Sequence, residues 1–183
     1  MIRFIAEFCT FIIPVRTVRQ NFKKIILNFL YGYKVRRKAK AIGKNLDVRG
    51  YSVVTSNTIL GDSVHLNGLK ISGIGNVSIG NYFHSGVECL IVASNHDYDN
   101  GSAIPYGHES VSKDVIIDDF VWIGSKVMIL PGTHIGEGAI IQGGAVLHGE
   151  IPPYAIAGGN PAKVFKYRDI EHFQKLKAEK KYL

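Results

Sequence analysis

The chain has few of the residues that cross-link small folds or bind metals. Its 183 residues include only two cysteines, Cys9 and Cys89, which lie in dissimilar surroundings and without the close spacing of metal ligands. Two cysteines are too few for a disulfide framework. The sequence therefore predicts one domain built on a hydrophobic core, in a reducing, cytoplasmic setting.

Acidic residues and long apolar runs are scarce in the first 40 residues. Glu7 is the one acid beside ten lysines and arginines, and the run from Phe4 to Ile13 is short. We therefore expect neither a membrane-spanning helix nor a secretion signal. From Val15 to Tyr31, apolar residues recur at helical spacing with bases opposite them. Residues 1–40 are predicted to form a basic amphipathic helical arm, which either lies on an anionic membrane or packs across the end of the main domain.

The main domain lacks an excess of positive charge. Of the 22 bases and 15 acids in the chain, the arm holds ten bases and one acid, which leaves 12 bases and 14 acids for the remainder. Nucleic-acid binding calls for a basic surface on the folded body. We therefore expect no nucleic-acid partner.

Proline is scarce and glycine frequent, with 6 and 20 residues, which is typical of short elements joined by tight turns. From Ile117 the chain falls into six-residue units: IDDFVW, IGSKVM, ILPGTH, IGEGAI, IQGGAV and LHGEIP. A similar block starts at Ile42, slips in phase near Leu69 to Val77, and resumes at Ile79. An inward Ile or Leu at the first position and a smaller inward residue at the fifth predict a parallel β-helix with three sides. A β-sandwich would show period two instead.

Two segments, VWIGSKVMILPGTHIGEGAIIQGGAV and IPPYAIAGGNPAKVFK, resemble the hexapeptide-repeat acyltransferases. The resemblance is to galactoside and maltose acetyltransferases and to capsule and lipopolysaccharide O-acetyltransferases, and it covers about Ile42 to Lys166. It implies an all-β fold, a left-handed parallel β-helix over residues 41–166, with an extruded loop at about 97–116. A C-terminal helix is expected over 167–183. The resemblance further implies a homotrimer with active sites between subunits and acetyl-CoA as the acetyl donor.

The resemblance assigns a role to the polar stretch ASNHDYDN, residues 93–100. His96 falls where these enzymes have their catalytic histidine, and imidazole can take a hydroxyl proton near neutral pH. Asp97 is the tentative orienting partner of the ring, with Asp99 or a backbone carbonyl as alternatives. Asn95, Tyr98 and Asp99 are expected to contact the acceptor.

A metal site was weighed because γ-class carbonic anhydrases share this fold and bind zinc through three histidines. The candidate ligands are His84, His96 and His108. The loop contains no closely spaced histidine pair that would support such a site, so we expect none.

Contacts with the coenzyme carry over by position from the same resemblance. The expected set is Trp122, Gly124, Ser125, Gly143, Gly144, Ala145, Lys163 and Lys166. The lysines would meet phosphate as point charges. The chain departs from the family pattern at HGEIP, where His148 and Gly149 stand in place of an expected Thr-Lys pair. For Trp122, covering the coil is an equally good interpretation.

The expected function is O-acetylation of a sugar hydroxyl in the synthesis of capsule, lipopolysaccharide or another surface glycan. The arm would suit a lipid-linked acceptor, with peripheral attachment at the inner membrane face. One alternative is N-acetylation of a nucleotide-linked amino sugar. Another, of a different class, is a non-catalytic β-helical assembly subunit. The repeats do not identify the acceptor.

Overall fold

The computed structural model describes residues 16–183, with side chains from Phe22 onward. The run from Phe4 to Ile13 lies outside the described residues. Two helices, α1 (Arg16–Lys38) and α2 (Ile170–Ala178), flank a body of short strands.

The strands form four sheets: three are the sides of the body, which we call faces A, B and C, and the fourth is a two-stranded hairpin. Face A contains β1 (Ala41–Ile42), β3 (Thr58–Leu60), β6 (Val77–Ile79), β11 (Val115–Ile117), β14 (His134–Ile135) and β17 (Glu150–Ile151). Face B contains β2 (Asp47–Gly50), β4 (His65–Asn67), β7 (His84–Val87), β12 (Trp122–Ile123), β15 (Ile140–Ile141) and β18 (Ala155–Gly159), followed by β19 (Ala162–Tyr167). Face C contains β5 (Lys70–Ser72), β8 (Leu90–Val92), β13 (Met128–Ile129) and β16 (Val146–Leu147).

The chain visits the faces in the repeating order A, B, C, so the body is a three-sided coil. Each strand pairs in parallel with the strand of the neighbouring coil, as Trp122 does with Ile140, eighteen residues later. Within the three faces, the one antiparallel pair among the described residues is that of β19 with β18. The parallel β-helix predicted from the six-residue period is confirmed.

The predicted inward positions form the core. From Ile117 to Leu147 the first residue of each unit is buried, and so is the fifth, which is Val, Thr or Ala in the first five units. Large aliphatic side chains stack along the axis of face A, where Ile117 pairs with Ile79 on one side and Ile135 on the other. Burial of a large aliphatic side chain contributes about 1.5–3 kcal/mol. Stacking repeated over every coil therefore dominates the stability of the body.

The corner between faces A and B is held by a ladder of side-chain oxygens. Asp62 accepts a hydrogen bond from the Lys44 backbone at 2.6 Å, Asn81 from the Asp62 backbone at 2.7 Å, and Asp119 from the Asn81 backbone at 2.7 Å. Each bond satisfies an amide that has left the strand ladder. The turns of neighbouring coils are thereby locked together.

Helix α1 continues seven residues past Tyr31, where the helical apolar spacing stops, and ends within the predicted arm of residues 1–40. Its C-terminal part packs on the first coil. Val35 is buried, and the Arg36 guanidinium donates to the Leu46 carbonyl at 3.0 Å. The preceding turns project outward and leave Phe22, Ile25 and Phe29 exposed by 39%, 64% and 72%. Contacts with the coil therefore bury the C-terminal end of the helix and leave the apolar side chains of its preceding turns exposed.

The C-terminal helix α2 packs against the corner between faces A and B. Asp169 caps it by accepting from the His172 backbone at 2.9 Å. The Phe173 ring contacts Phe120 and Tyr154, with centroids 5.8 and 5.1 Å away. An ion pair between Lys177 and Glu137 adds a polar contact.

One hairpin leaves the coil at the corner between faces C and A. Its strands are β9 (Ser94–His96) and β10 (Ser110–Ser112), which pair antiparallel. The extruded loop was expected over about 97–116, and the chain is back on face A at Val115. The hairpin brings the polar stretch 93–100 beside the turns of the following coils.

Candidate functional site

A cleft of about 450 Å³ lies between this hairpin and the corner that joins faces C and A. The hairpin contributes residues 95–100, and the corner contributes Leu130, Pro131 and His148. Lys113 closes one side, with its aliphatic stem over Gly132. The five predicted hairpin residues Asn95, His96, Asp97, Tyr98 and Asp99 therefore lie around one concave surface.

The His96 side chain is exposed to this cleft, and its ring stacks on Tyr106. The ring centroids are 3.7 Å apart and the planes differ by 12°. The backbone of His96 is fixed separately, because its amide donates to Asn95 Oδ1 at 2.9 Å. The imidazole nitrogens make no hydrogen bond to any residue in the described range 16–183. Stacking is thus the contact that the structure gives to this ring.

The predicted pairing of Asp97 with His96 is absent from this conformation. Asp97 Oδ1 instead accepts from the Asn100 backbone at 2.9 Å and from the Asn100 side chain at 3.2 Å. This arrangement is a turn in which an aspartate caps the backbone three residues later. The Asp97 carboxylate, which we expected to hydrogen-bond to the His96 ring, is therefore part of a local turn.

The hairpin is held by a second internal clamp. Glu109 Oε2 accepts from the backbone and hydroxyl of Ser102, both at 3.2 Å. Hydrogen bonds from its own backbone and from Ser102 lower the pKa of Glu109, so the clamp is charged at neutral pH. Gly101 and Gly107 approach Asp97 and Glu109 so closely that a side chain at either position would clash. The loop therefore has a defined shape despite its exposure.

Four of the predicted coenzyme residues, Gly124, Ser125, Gly143 and Gly144, lie at another corner, between faces B and C. Ser125 accepts at its hydroxyl from the Val87 amide at 3.2 Å and at its carbonyl from the Gly144 amide at 2.8 Å. A side chain on Gly124 would lie 2.6 Å from the Gly143 nitrogen, so this corner needs glycine for close packing of coils. A side chain on Gly144 would meet nothing within 4 Å, which leaves open surface there.

Two members of the predicted coenzyme set differ from expectation. Ala145 is fully buried, because it holds the inward fifth position of its unit, so its side chain cannot line a surface groove. Trp122 is 55% exposed and lies on face B, in register with His84 and Ile140. Its indole therefore stands on a flat side of the coil and away from the His96 hairpin of the same chain.

The two predicted lysines lie on the exposed strand β19. Lys163 pairs with Gly158, which packs directly on Gln142 and so lies next to the Gly143 turn. Lys166 pairs with Ile156, further along face B. Lys163 is thus the lysine nearer to the Ser125 corner.

Face B carries a stacked histidine pair, one member of which, His84, is a candidate metal ligand. His84 stacks on His65 with centroids 4.2 Å apart, and burial followed by the neighbouring His65 lowers the pKa of His84. Asp47 lies 3.3 Å from His65. Across the described part of the chain, no three His, Cys, Asp or Glu side chains are grouped as metal ligands would be. His84 and His96 lie on different parts of the coil.

The repeat matches the family model described as bacterial transferase hexapeptide (six repeats) over residues 114–149. The lipopolysaccharide biosynthesis O-acetyl transferase WbbJ of Escherichia coli K12 is 32% identical over 134 residues, 68% of this chain and 66% of that protein. The chain belongs to the hexapeptide-repeat acyltransferases. A chloramphenicol acetyltransferase of Escherichia coli is 48% identical over 58 residues, 32% of this chain and 28% of that protein.

Among solved structures, galactoside acetyltransferase in complex with coenzyme A superposes with a TM-score of 0.65 at 21% identity, over 94% of this chain and 83% of that one. At that identity the likeness establishes the hexapeptide-repeat fold alone. The matches to the first four curated relatives span between 26% and 45% of the relatives' own lengths.

Sequence reasoning did not place Lys113 and His148 in this cleft, nor did it find Tyr106, which stacks on His96. Tyr106 gave no signal, because a loop residue ten positions away from His96 has no periodic relation to it. Lys113 lies at the end of the loop and belongs to no motif that would have indicated a role. His148 was visible only as a departure from the family pattern at HGEIP, and the fold puts it in the His96 cleft.

Proposed function

We propose that the chain transfers an acetyl group from acetyl-CoA to a sugar hydroxyl of a surface glycan, with His96 as the general base. The observation that carries this proposal is the exposed His96 ring in a cleft with the polar side chains of residues 95–100. The relationship to WbbJ, which is named for lipopolysaccharide biosynthesis, favours a glycan acceptor.

The chemistry needs little beyond placement and proton transfer. As the hydroxyl oxygen attacks the thioester carbonyl, His96 accepts its proton, and the imidazolium then returns that proton to the departing coenzyme thiolate. Asn95, Tyr98 and Asp99 would orient the acceptor in the cleft. Ser125, Gly143 and Gly144 would receive the coenzyme along the open corner, with Lys163 and Lys166 near its phosphates.

A comparison of two loop histidines tests the base. His96→Ala should lower turnover by about 10²- to 10⁴-fold, while His108→Ala, an exposed neighbour outside the cleft, should keep near-normal turnover. Turnover is followed as release of the coenzyme thiol with de-O-acetylated capsule and lipopolysaccharide oligosaccharides as acceptors. Full activity of His96→Ala would refute the role of His96.

Alkali treatment of the acetylated product separates O- from N-acetylation. Acetate on a hydroxyl is an ester that mild alkali removes, whereas acetate on an amino sugar is an alkali-stable amide. Product that survives alkali, formed only with a nucleotide-linked amino sugar, would favour the N-acetyl alternative.

We propose further that the active enzyme is a homotrimer with sites between subunits. The support is geometric, because His96 and Ser125 lie at different corners of one coil, so a second chain is needed to bring such groups together. Mixing refolded His96→Ala with Ser125→Trp should restore part of the activity, since some interfaces would then combine intact halves. Two inactive variants that stay inactive when mixed would contradict shared sites.

Helix α1 is proposed to hold the enzyme at the cytoplasmic face of the inner membrane. Its sequence has eight bases and no acid, and Phe22, Ile25 and Phe29 share one exposed side. Apolar insertion and attraction of about 1 kcal/mol per base near anionic lipid would act together. No helix in residues 16–183 has both the length and the apolar character to cross a bilayer.

Sedimentation with vesicles tests this attachment. A Phe22→Ser, Ile25→Ser, Phe29→Ser variant of the full chain should lose binding to vesicles of phosphatidylglycerol and phosphatidylethanolamine. Ile74→Ser, which changes an exposed isoleucine on the coil, should bind like the parent. Equal binding by both variants would rule out the helix as the attachment site.

A further inference from the structure

Within residues 16–183, the imidazole of His96 stacks on an aromatic ring and makes no hydrogen bond. A catalytic histidine usually has one ring nitrogen held by a carboxylate or carbonyl, which fixes the ring for proton transfer. Here Asp97 is engaged by Asn100, and Tyr106 lies parallel to the imidazole with 3.7 Å between centroids. The ring that would otherwise turn freely in the cleft therefore has a flat partner on one side.

Tyr106 reaches His96 because the loop folds back through specific contacts. Ser102 and Glu109, which bracket Tyr106 in sequence, are joined by two hydrogen bonds. The Asp97 amide donates to the Glu109 carbonyl at 3.0 Å, which ties the returning chain to the segment next to His96. The position of Tyr106 thus follows from a closed set of contacts within the hairpin.

The face of the tyrosine ring, and not its hydroxyl, makes the contact. Within the described residues the Tyr106 hydroxyl has no hydrogen-bond partner, and the side chain is about half exposed. Phenylalanine could therefore replace tyrosine without loss of the stack, whereas alanine would remove it. Tyr106→Phe is therefore a conservative control for Tyr106→Ala.

We propose that Tyr106 is a positioning residue, whose ring holds the His96 imidazole in the orientation that receives the proton of the acceptor. The proposal rests on the proposed role of His96 as base. An aromatic pair adds a modest stabilisation beyond that of its buried area. Loss of the stack should accordingly lower kcat by about 2- to 12-fold, with the KM for acetyl-CoA unchanged.

The kinetic test uses four variants of the full chain: Tyr106→Ala, Tyr106→Phe, His96→Ala, and the double variant with Tyr106→Ala and His96→Ala. Tyr106→Ala should lose turnover, and Tyr106→Phe should stay within about twofold of the parent. The double variant should be no slower than His96→Ala alone, because a residue that acts through His96 has nothing left to position. Ile104→Ala, at the exposed tip of the same loop, is the matched control.

A spectroscopic measurement detects the stack without turnover. A parallel ring at this distance shifts the His96 Cε1 proton upfield in the NMR spectrum. The shift should be present in the parent and in Tyr106→Phe, and absent in Tyr106→Ala. If Tyr106→Ala leaves the shift in place, the stack does not exist in solution and the proposal is overturned.

The outcomes separate this proposal from the proposed function. Full activity of His96→Ala would remove the base and the positioning role together. An inactive His96→Ala beside a fully active Tyr106→Ala would overturn the positioning role alone. A further loss in the double variant, or a Tyr106→Phe as slow as Tyr106→Ala, would show that Tyr106 acts on the acceptor directly and would also overturn it.

Discussion

Adjacent isoleucines on strand β11 offer a direct test of which residues face the core. Ile117 is 1% exposed and stacks between Ile79 and Ile135, whereas Ile116 is 44% exposed on the outside of face A. The two side chains are chemically identical and share one strand. Any difference between their substitutions therefore comes from the direction in which each one points.

The expected magnitudes follow from these surroundings. Ile→Ala removes three carbons, which at about 0.8 kcal/mol per buried carbon gives about 2.4 kcal/mol of lost transfer free energy. Ile117→Ala should cost more, about 3–4 kcal/mol, because its neighbours are fixed by strand pairing and cannot collapse into the cavity. Ile116→Ala should cost about 1 kcal/mol or less, because nearly half of its surface is already in water and no closed cavity forms.

Urea denaturation of both variants and the parent measures the free energy of unfolding. The curves should be recorded at several protein concentrations, since stability depends on concentration if the chain is an oligomer. Equal m-values would confirm that the variants unfold from the same kind of native state. If Ile116→Ala cost as much as Ile117→Ala or more, the phase of the six-residue repeat would be wrong.

Three further changes test other contacts. The free energy of unfolding should fall as the pH drops below about 6.5, because the pKa of His84 is lowered in the folded chain and the unfolded chain takes up the proton first. Urea titrations of His84→Phe at about pH 7.5 and about pH 5.5 should show that this part of the pH dependence is lost. Lys177→Met should make helix α2 easier to cleave by protease, since it removes the ion pair with Glu137, and unchanged cleavage would mean that the aromatic contacts suffice. Gly124→Ala should lower the melting temperature, because its methyl group would lie 2.6 Å from the Gly143 nitrogen; an unchanged value would show that the corner can widen.

The coil could be predicted from the sequence because stacking gives each inward position the same environment. A fixed period of six then carries the same two requirements, one large and one small side chain, through every unit. Ile123 and Ala139 are both fully buried for this reason, although they are chemically different. The six-residue period of the sequence is a direct result of this packing requirement.

The end of helix α1 could not be predicted in this way. The apolar pattern stops at Tyr31, and Gly32 is a poor helix former. The helix continues because its C-terminal turns pack on the coil, where Gly32 is buried beside Val48. A contact with a distant strand overrides local preference there, and no local pattern reports it.

The site was predictable only in part, for a related reason. His96 could be singled out through the resemblance of the surrounding repeat to known enzymes, but the loop that holds it has no period. Asp97 was a reasonable partner by proximity, yet an aspartate three residues before Asn100 closes a turn more readily than it reaches a ring. Tyr106 depends on the loop's complete path, which neither spacing nor composition specifies.

The two corners implicated in the proposed chemistry differ in how they are held, and this difference bears on how they would respond to change. Ser125 is bonded to neighbouring coils on both sides, through the Val87 and Gly144 amides. The His96 hairpin is held by bonds within itself, such as that between Ser102 and Glu109. Substitutions at the Ser125 corner should therefore couple activity to the stability of the whole coil. Changes within the hairpin should alter turnover while the coil stays folded, because the contacts they break end inside the loop.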